Sequence, residues 1–236
     1  MTARLLPWPQ RQFDAAIVDL DGTLVDTLGD FVEALQRMLR DLPAPFADFT
    51  VTHAVVEPMV GKGSENLIKS LLTHVDAAQA AIHSVALFDA AWARYQVHYQ
   101  AINGDYSTVY PGAREGLQRW QAAGLRLVCV TNKPTAFAQT LLQHKGLDHF
   151  FLAVVGGDAV ARKKPDPMPL LHACALLGTQ PARTLMVGDS SNDAQAARAA
   201  GCPVLLVRYG YNHGEPVESV DADAYADALD ALRWAD

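Results

Sequence analysis

The residues that could do chemistry begin with two aspartates at the end of an apolar run. Asp19 and Asp21 follow the run Ala15 to Val18, and Gly22 comes directly after them. A buried strand cannot solvate carboxylates, so we expect this pair where the strand ends and the chain turns. Two carboxylates this close repel each other, and a Mg2+ ion, which binds carboxylate and phosphate oxygens, would remove the conflict. The pattern indicates metal-assisted phosphoryl transfer, with a solvated acidic turn as the alternative.

Further along the chain, polar residues follow other apolar runs or lie shortly beyond them. These candidates are Thr131, Asn132, Lys164, Asp189 and Asp193. In a doubly wound sheet, ligands bind beyond the carboxyl ends of the strands, so residues that follow different strands face one crevice. We therefore expect a hydroxyl, an amide, an ammonium and several carboxylates to converge there. Taken alone, Thr131 and Asn132 could serve a local turn, and Asp193 could serve only its helix N-terminus.

The elements that must position these groups alternate between strand and helix from residue 125 onward. Apolar runs predict five strands, at 15–18, 125–130, 151–155, 184–187 and 203–207. Helical patterns separate the last four of these runs, and a final helix is expected at 224–234. Repeated strand–helix units predict an α/β fold with a doubly wound parallel sheet, covered by helices on both faces.

Between residues 27 and 108 the strand signal is absent. Helical patterns occupy 30–40, 63–74 and 78–101. So long a helical stretch cannot be a loop of the sheet domain. We therefore expect a small helical domain at 27–108, the helical insertion, within a sheet domain formed by 1–26 and 109–236.

Composition restricts the class of protein. The 236 residues are enough for a sizeable core, and a net charge of −7 argues against a nucleic-acid partner. The three cysteines form no CxxC pair and the eight histidines show no zinc-ligand spacing, which favours a reducing compartment and argues against zinc. Apolar runs fall short of membrane-spanning length. We expect a cytoplasmic, soluble monomer or homodimer without a membrane partner.

Four short motifs together resemble the motif set of the haloacid dehalogenase superfamily of phosphatases. They are DLDGT at 19–23, TN at 131–132, KP at 164–165 and GDSSND at 188–193. The likeness covers nearly the whole chain, and the helical insertion resembles the cap that this family places after the first motif. Within the family, the nearest likeness is to the bacterial phosphoglycolate phosphatases, through segments 110–112, 162–167 and 209–216. The resemblance implies a Rossmann-like core, an α-helical cap and Mg2+-dependent hydrolysis of a small phosphate ester.

The resemblance assigns the chemistry to the aspartates. Asp19 would be the nucleophile that forms an aspartyl-phosphate, which divides one hard step into two. Asp21 would protonate the leaving alkoxide and then activate the attacking water. Asp189 would complete the Mg2+ shell with the Asp19 carboxylate and the Asp21 backbone carbonyl, and Asp193 would support the metal or Lys164. The acid at position 21 separates the chain from the dehalogenases of the superfamily, which lack it.

The same resemblance implies the groups that hold the phosphate. Gly22 would let the backbone turn closely round the phosphoryl group. Thr131 would bind a phosphoryl oxygen through its hydroxyl, and Asn132 would orient the neighbouring groups. Lys164 would neutralise negative charge on the nucleophile and the phosphoryl oxygens, whereas Lys163 is expected to be solvated.

A second cation is expected in the helical insertion because phosphoglycolate carries a carboxylate beyond its phosphate. Lys62 is the candidate, since the resemblance places the segment 61–64 over the substrate. The GxxxxGK[ST] pattern of a phosphate loop is absent from this segment. Ser70 stands where the family often has an arginine, so Lys69 is an alternative to Lys62 and the substrate is left open.

Phosphoglycolate is the expected substrate, and three alternatives stand beside it. A sugar-phosphate phosphatase or a phosphomutase of the same superfamily would use the same aspartates. A non-enzymatic binding protein on a retired catalytic fold is opposed by the complete set of candidate catalytic residues. A nucleotide-binding switch is opposed by the missing phosphate loop.

Overall fold

A computed structural model of the chain describes residues 4–9, 12–78 and 84–235, with a six-stranded parallel sheet at its centre. In spatial order its strands are β6 (Ala153–Val155), β5 (Arg126–Val130), β2 (Ala15–Val18), β7 (Thr184–Gly188), β8 (Val204–Val207) and β9 (Ala224–Ala226). The chain adds β5 and β6 on one side of β2 and the later strands on the other. The topological switch point therefore lies between β2 and β7, where ligands of open α/β sheets bind.

Helices cover both faces of this sheet. They are α5 (Ala113–Ala122), α6 (Thr135–His144), α7 (Met168–Leu177) and α8 (Ser191–Ala200). Successive side chains of a strand point to opposite faces, so Val18 packs in one buried cluster with Leu117 of α5, and Ile17 packs in the opposite cluster with Leu170 of α7. The expected doubly wound α/β fold is confirmed, and the five predicted strands are present.

The helical insertion contains α1 (Leu28–Arg40), α2 (His53–Val56), α3 (Ser64–Val75) and α4 (Ser84–Ile102). Part of the helix expected at 78–101, residues 79–83, lies outside the described residues. Apolar side chains of the insertion, among them Phe46, Tyr95 and Tyr99, form one buried cluster, which Tyr211 of the sheet domain joins. Among the described helices of the whole chain, none is long and apolar enough to cross a membrane.

The chain enters and leaves the helical insertion through one small antiparallel ribbon. Its strands are β3 (Val25–Asp26) and β4 (Thr108–Val109). Val25 pairs with Val109 and Asp26 pairs with Thr108. The two connections between sheet and insertion therefore lie side by side, close to the carboxyl end of β2.

The helix expected at 224–234 is wrong. Residues 224–226 form the edge strand β9, and β10 (Leu232–Ala235) pairs in parallel with β1 (Arg4–Pro9). Without β9, the backbone groups of β8 would end the sheet unpaired, and the register Leu205 to Ala224 satisfies them. Alanine favours helix in an isolated segment, but pairing with an open sheet edge outweighs that propensity.

Candidate active site

Three adjacent strands deliver the predicted polar residues to one edge of the sheet. Asp19 follows β2, Thr131 follows β5 and Asp189 follows β7, and these strands are hydrogen-bonded neighbours. The structure brings Asp193 and Lys164 to the same place, from α8 and from the loop before α7. The convergence expected from the strand-end pattern is therefore present in the fold.

Asp19, Asp189 and Asp193 form a buried acidic cluster. One oxygen from each carboxylate lies within 4.8 Å of the others, so the cluster could hold a metal ion. Burial raises the pKa of Asp19 to about 7, against the opposing pull of the Lys164 ammonium. Burial, and then the charges of Asp193 and Asp19, raise the pKa of Asp189 well above its ordinary value. A divalent cation would relieve this repulsion, and oxygen ligands of this kind suit Mg2+.

Asp189 is held by two donors and by the close approach of a glycine. Thr23 Oγ1 donates to Asp189 Oδ1 at 2.8 Å, and the Tyr211 backbone N donates to Oδ2 at 2.6 Å. Gly22 has a φ of +83°, and a Cβ there would lie 2.3 Å from Asp189 Oδ2. The positive φ and this contact both explain why a residue without a side chain follows Asp21.

Lys164 joins the nucleophile candidate to Asp193. Its Nζ lies 3.0 Å from Asp19 Oδ1, 2.7 Å from Asp193 Oδ1 and 2.8 Å from the Val130 carbonyl oxygen. These three acceptors use the three protons of the ammonium.

Asp193 belongs to the hydrogen-bonded start of α8. Its Oδ2 accepts from the backbone N of Asp189 and from both the backbone N and the Oγ of Ser190. Asp193 thus makes the capping box of α8 and also fixes Lys164, so its two roles considered from the sequence occur together.

Asp21 pairs with Lys133, which is not among the site residues predicted from the sequence. Lys133 Nζ donates to Asp21 Oδ1 at 2.8 Å, and the Lys133 side chain is 1% exposed. The ammonium also lies over the rings of Phe31 and Tyr99, at 4.5 and 4.8 Å from their centroids. Its position directly after Asn132 was the available signal in the sequence, because a residue next to a strand-end motif shares the same crevice.

The segment 60–64 of the helical insertion closes over these groups. Asn132 Nδ2 donates to the Gly61 carbonyl oxygen and to the Lys164 carbonyl oxygen, both at 2.9 Å. Asn192 Nδ2 reaches the same Gly61 oxygen at 3.2 Å. Beneath this contact lies a cavity of about 30 Å³, and the described residues that line it are Asp19, Asp21, Phe31, Val60, Gly61, Gly63, Ser64, Leu67, Thr131, Asn132 and Lys133.

The other candidate lysines lie outside this cavity. Lys62 is exposed and is absent from the described lining residues. Lys69 places its Nζ over the Phe88 ring, 4.7 Å from the centroid, on the helical insertion. Lys163 is half-buried, not fully solvated as expected, because it lines a neighbouring cleft of about 450 Å³ between the insertion and the sheet domain.

The segment 209–216 has a physical role that its sequence did not show. Tyr211 Oη accepts hydrogen bonds from the backbone N of Thr27 at 3.1 Å and of Leu28 at 3.2 Å, and it donates to Asp26 Oδ1. Because the Tyr211 backbone N also binds Asp189, one residue connects the acidic cluster to the first turn of α1.

The sequence of the chain matches a known protein family. Residues 13–201 match the family of haloacid dehalogenase-like hydrolases, and this chain belongs to that family.

Similarity to individual proteins is more specific than the family match. The chain is 42% identical over 215 residues to a phosphoglycolate phosphatase of Thiobacillus denitrificans, with 91% of this chain and 92% of that protein covered. It is 45% identical over 220 residues to a phosphoglycolate phosphatase of Cupriavidus necator, with 92% and 90% covered. The crystal structure of a predicted phosphoglycolate phosphatase from Haemophilus somnus superposes with a TM-score of 0.83 at 31% identity, covering 93% of this chain and 96% of that one. These likenesses confirm the expected phosphoric monoester hydrolase, similar to phosphoglycolate phosphatases.

Proposed function

We propose that the chain is a Mg2+-dependent phosphatase that hydrolyses 2-phosphoglycolate to glycolate and phosphate through an aspartyl-phosphate on Asp19. One observation carries the chemistry: Asp19 lines a small cavity together with Asp21 and Thr131. Among the described residues, the hydrogen bond and the ion pair of Asp19 both use Oδ1. Its Oδ2 is left to attack phosphorus. The names of the relatives support the choice of substrate.

The reaction takes place in two steps at Asp19. In the first, Asp19 Oδ2 bonds to phosphorus, the bond from phosphorus to the glycolate oxygen breaks, and Asp21 donates a proton to that oxygen. In the second, Asp21 takes a proton from water, the water oxygen attacks phosphorus, and the bond to Asp19 breaks. Phosphate leaves, and both aspartates regain their starting protonation states.

Charge stabilisation comes from groups already fixed in the fold. Lys164 neutralises charge on Asp19 and the phosphoryl oxygens, and the Thr131 hydroxyl donates to one of those oxygens. Asp19, Asp189 and the Asp21 backbone carbonyl would hold Mg2+, and the bound ion would offset the charge of the phosphoryl group. Asp193 is not assigned as a Mg2+ ligand, because its two oxygens already accept hydrogen bonds from Lys164 and from the start of α8.

The helical insertion acts as a cap in this proposal. Its segment 60–64 is hydrogen-bonded to Asn132 and Asn192 of the sheet domain and closes the cavity. A cavity of about 30 Å³ is too small for a substrate to enter unaided, so the insertion must open and close during turnover. Closure also excludes bulk water, which would compete for the phosphoryl group.

The test is phosphate release from 2-phosphoglycolate, measured beside sugar phosphates and an aryl phosphate, with Mg2+ and with a chelator. We expect a Mg2+-dependent preference for 2-phosphoglycolate. Release from the aryl phosphate alone would retain the mechanism and discard the substrate. Conversion of a sugar phosphate without release of phosphate would show a phosphomutase, and inactivity on all of them would favour a binding role.

A further inference from the structure

We propose that Lys133 binds the carboxylate of the substrate and so makes the enzyme selective for phosphorylated acids. This inference rests on the proposed function, because it names the group that recognises the non-reacting end of phosphoglycolate. It moves recognition from Lys62, the lysine suggested by the sequence, to a buried residue of the sheet domain.

The charge inventory of the cavity points to Lys133. Of the described residues that line the cavity, Lys133 is the one that carries a positive charge. Lys62 is exposed, and the Lys69 ammonium lies over Phe88 instead. A substrate carboxylate enclosed in this space needs a cation or several donors, since an unpaired buried charge is costly.

The hydrogen-bonding capacity of the two buried lysines differs. Lys164 donates to three acceptors, which uses all the protons of its ammonium. Lys133 has one such acceptor, Asp21 Oδ1, among the described residues, and its other close neighbours are the two aromatic rings. Ring faces attract a cation but do not replace a charged acceptor, so Lys133 can donate to a second carboxylate.

The position of Lys133 relative to the chemistry also fits. Asp21 must reach the oxygen that bridges phosphorus and glycolate, and Lys133 binds the same Asp21 carboxylate at 2.8 Å. The carboxylate of phosphoglycolate is attached one methylene group away from that bridging oxygen. An ammonium bonded to Asp21 therefore lies within a few ångströms of where this carboxylate must be.

The helical insertion holds the ammonium in place. Phe31 belongs to α1 and Tyr99 to α4, and both rings are buried against the Lys133 side chain. The binding group for the carboxylate is thus complete only where sheet domain and insertion meet. A neutral substituent in this position, such as an amide, would replace the charge-assisted bond to the ammonium by a weaker neutral one, so the site should favour the acid.

The experiment compares 2-phosphoglycolate with its amide, in which a neutral group of the same size replaces the carboxylate. The measured quantity is the ratio of kcat/KM for the acid to kcat/KM for the amide, in the native chain and in Lys133→Met. A general effect on Asp21 changes both values and cancels in the ratio. We expect the native chain to favour the acid and Lys133→Met to lower the ratio by about 10- to 100-fold, mainly through KM for the acid.

Two further variants keep the test decisive. Lys133→Arg retains the charge and is expected to keep most of the preference, so it also serves if Lys133→Met fails to fold. Lys62→Met tests the competing lysine, and we expect its ratio to equal that of the native chain. A ratio that collapses in Lys62→Met and survives in Lys133→Met would overturn the inference.

The failure of the inference is distinguishable from failure of the proposed function. A native chain that hydrolyses the acid and the amide equally well contradicts carboxylate recognition by Lys133 and leaves a phosphatase. A native chain that releases no phosphate from 2-phosphoglycolate contradicts both.

Discussion

At the scale of single residues, the site concentrates more negative charge than its own lysine can balance. Asp19, Asp189 and Asp193 share one buried cluster, and Lys164 contacts Asp19 and Asp193. Burial raises the pKa of Asp19 to about 7, which favours the protonated carboxyl when no metal ion is bound. A protonated carboxyl is a poor nucleophile. Under the proposed function, the charge deficit that favours a metal ion at this cluster would also make the proposed nucleophile depend on that ion.

Asp19→Asn tests the nucleophile. The amide has nearly the volume of the carboxyl but cannot form the phosphoenzyme, so we expect less than about one per cent of native turnover. Removing one negative charge from a crowded cluster is not expected to destabilise the fold. Steady-state phosphate release measures the loss of turnover, and a thermal melt checks that the fold is retained. Activity above that level would remove Asp19 from the covalent step.

Gly22→Ala tests the close approach of Gly22 to Asp189, the carboxylate proposed to bind Mg2+. The new Cβ would lie 2.3 Å from Asp189 Oδ2 at a φ of +83°, so Asp189 must move. We expect at least about tenfold lower activity and a higher Mg2+ requirement, measured by a Mg2+ titration. Gly124→Ala is the matched control, because φ there is +88° and nothing lies within 4 Å of its Cβ. Equal losses in the two variants would reduce the effect to backbone strain.

The sequence predicted the residues whose position follows from a strand end. Asp19, Thr131 and Asp189 each come directly after an apolar run, and parallel strands bring such residues together. Lys133 was missed because its burial depends on Phe31 and Tyr99, which are distant in the chain and reach it through the packing of the insertion. No local pattern carries that information.

At the scale of elements, the start of α1 is capped from a distance. Its N-cap residue Thr27, directly before Leu28, makes no side-chain capping bond, and the Tyr211 hydroxyl instead accepts from the backbone N of Thr27 and Leu28. The first backbone donors of a helix have no partner inside it, so an external acceptor stabilises the turn. The segment 209–216 thereby connects the first turn of the helical insertion with the carboxyl end of the sheet.

Tyr211→Phe removes this acceptor, so the backbone N of Thr27 loses its bond to Tyr211 and that of Leu28 keeps only Asp26 Oδ1, at 3.2 Å. We expect the free energy of unfolding to fall by about 1–3 kcal/mol, measured by urea denaturation. Tyr209→Phe is the control, since the Tyr209 hydroxyl donates to the Thr23 carbonyl oxygen and does not reach α1. The KM for substrate should rise in Tyr211→Phe only, because this variant loosens the connection to the insertion. Equal KM values in both variants would contradict the link.

Helices and strands were predicted correctly where the apolar residues of a segment follow a single period. The strand β2 is an uninterrupted apolar run, and α1 of the insertion has a clear amphipathic pattern. The prediction was wrong at 224–234, because this alanine-rich segment has no apolar pattern that indicates pairing with a neighbouring strand. The open edge of β8, assembled from residues some 20 positions earlier, decided the conformation there.

At the scale of the whole molecule, metal binding, protonation and stability are linked. The folded-state pKa of Asp19 is about 7 and that of Asp189 is also raised, so above about pH 4 the folded state holds protons that the unfolded chain has released. Their contribution to stability is therefore lost as pH rises through the folded pKa. A metal ion bound to the ionised carboxylates offsets that loss.

We therefore expect Mg2+ to raise Tm more at pH 8 than at pH 5.5. Thermal melts with Mg2+ or with chelator at the two pH values measure this difference. Asp189→Asn is the control, because it removes one carboxylate of the cluster and should abolish most of the Mg2+ effect. If Mg2+ raised Tm by the same amount at both pH values, the ion would not be bound by these carboxylates.

The ribbon of β3 and β4 has a consequence for how such proteins diversify. Both ends of the helical insertion attach to neighbouring, hydrogen-bonded strands, so a short turn could join them if the insertion were deleted. Most residues of one buried cluster belong to the insertion, and Tyr211 of the sheet domain joins them; this cluster is distinct from the two that flank the sheet. One recombination event at this ribbon can exchange everything that covers the cavity while the strand register and the aspartates stay unchanged.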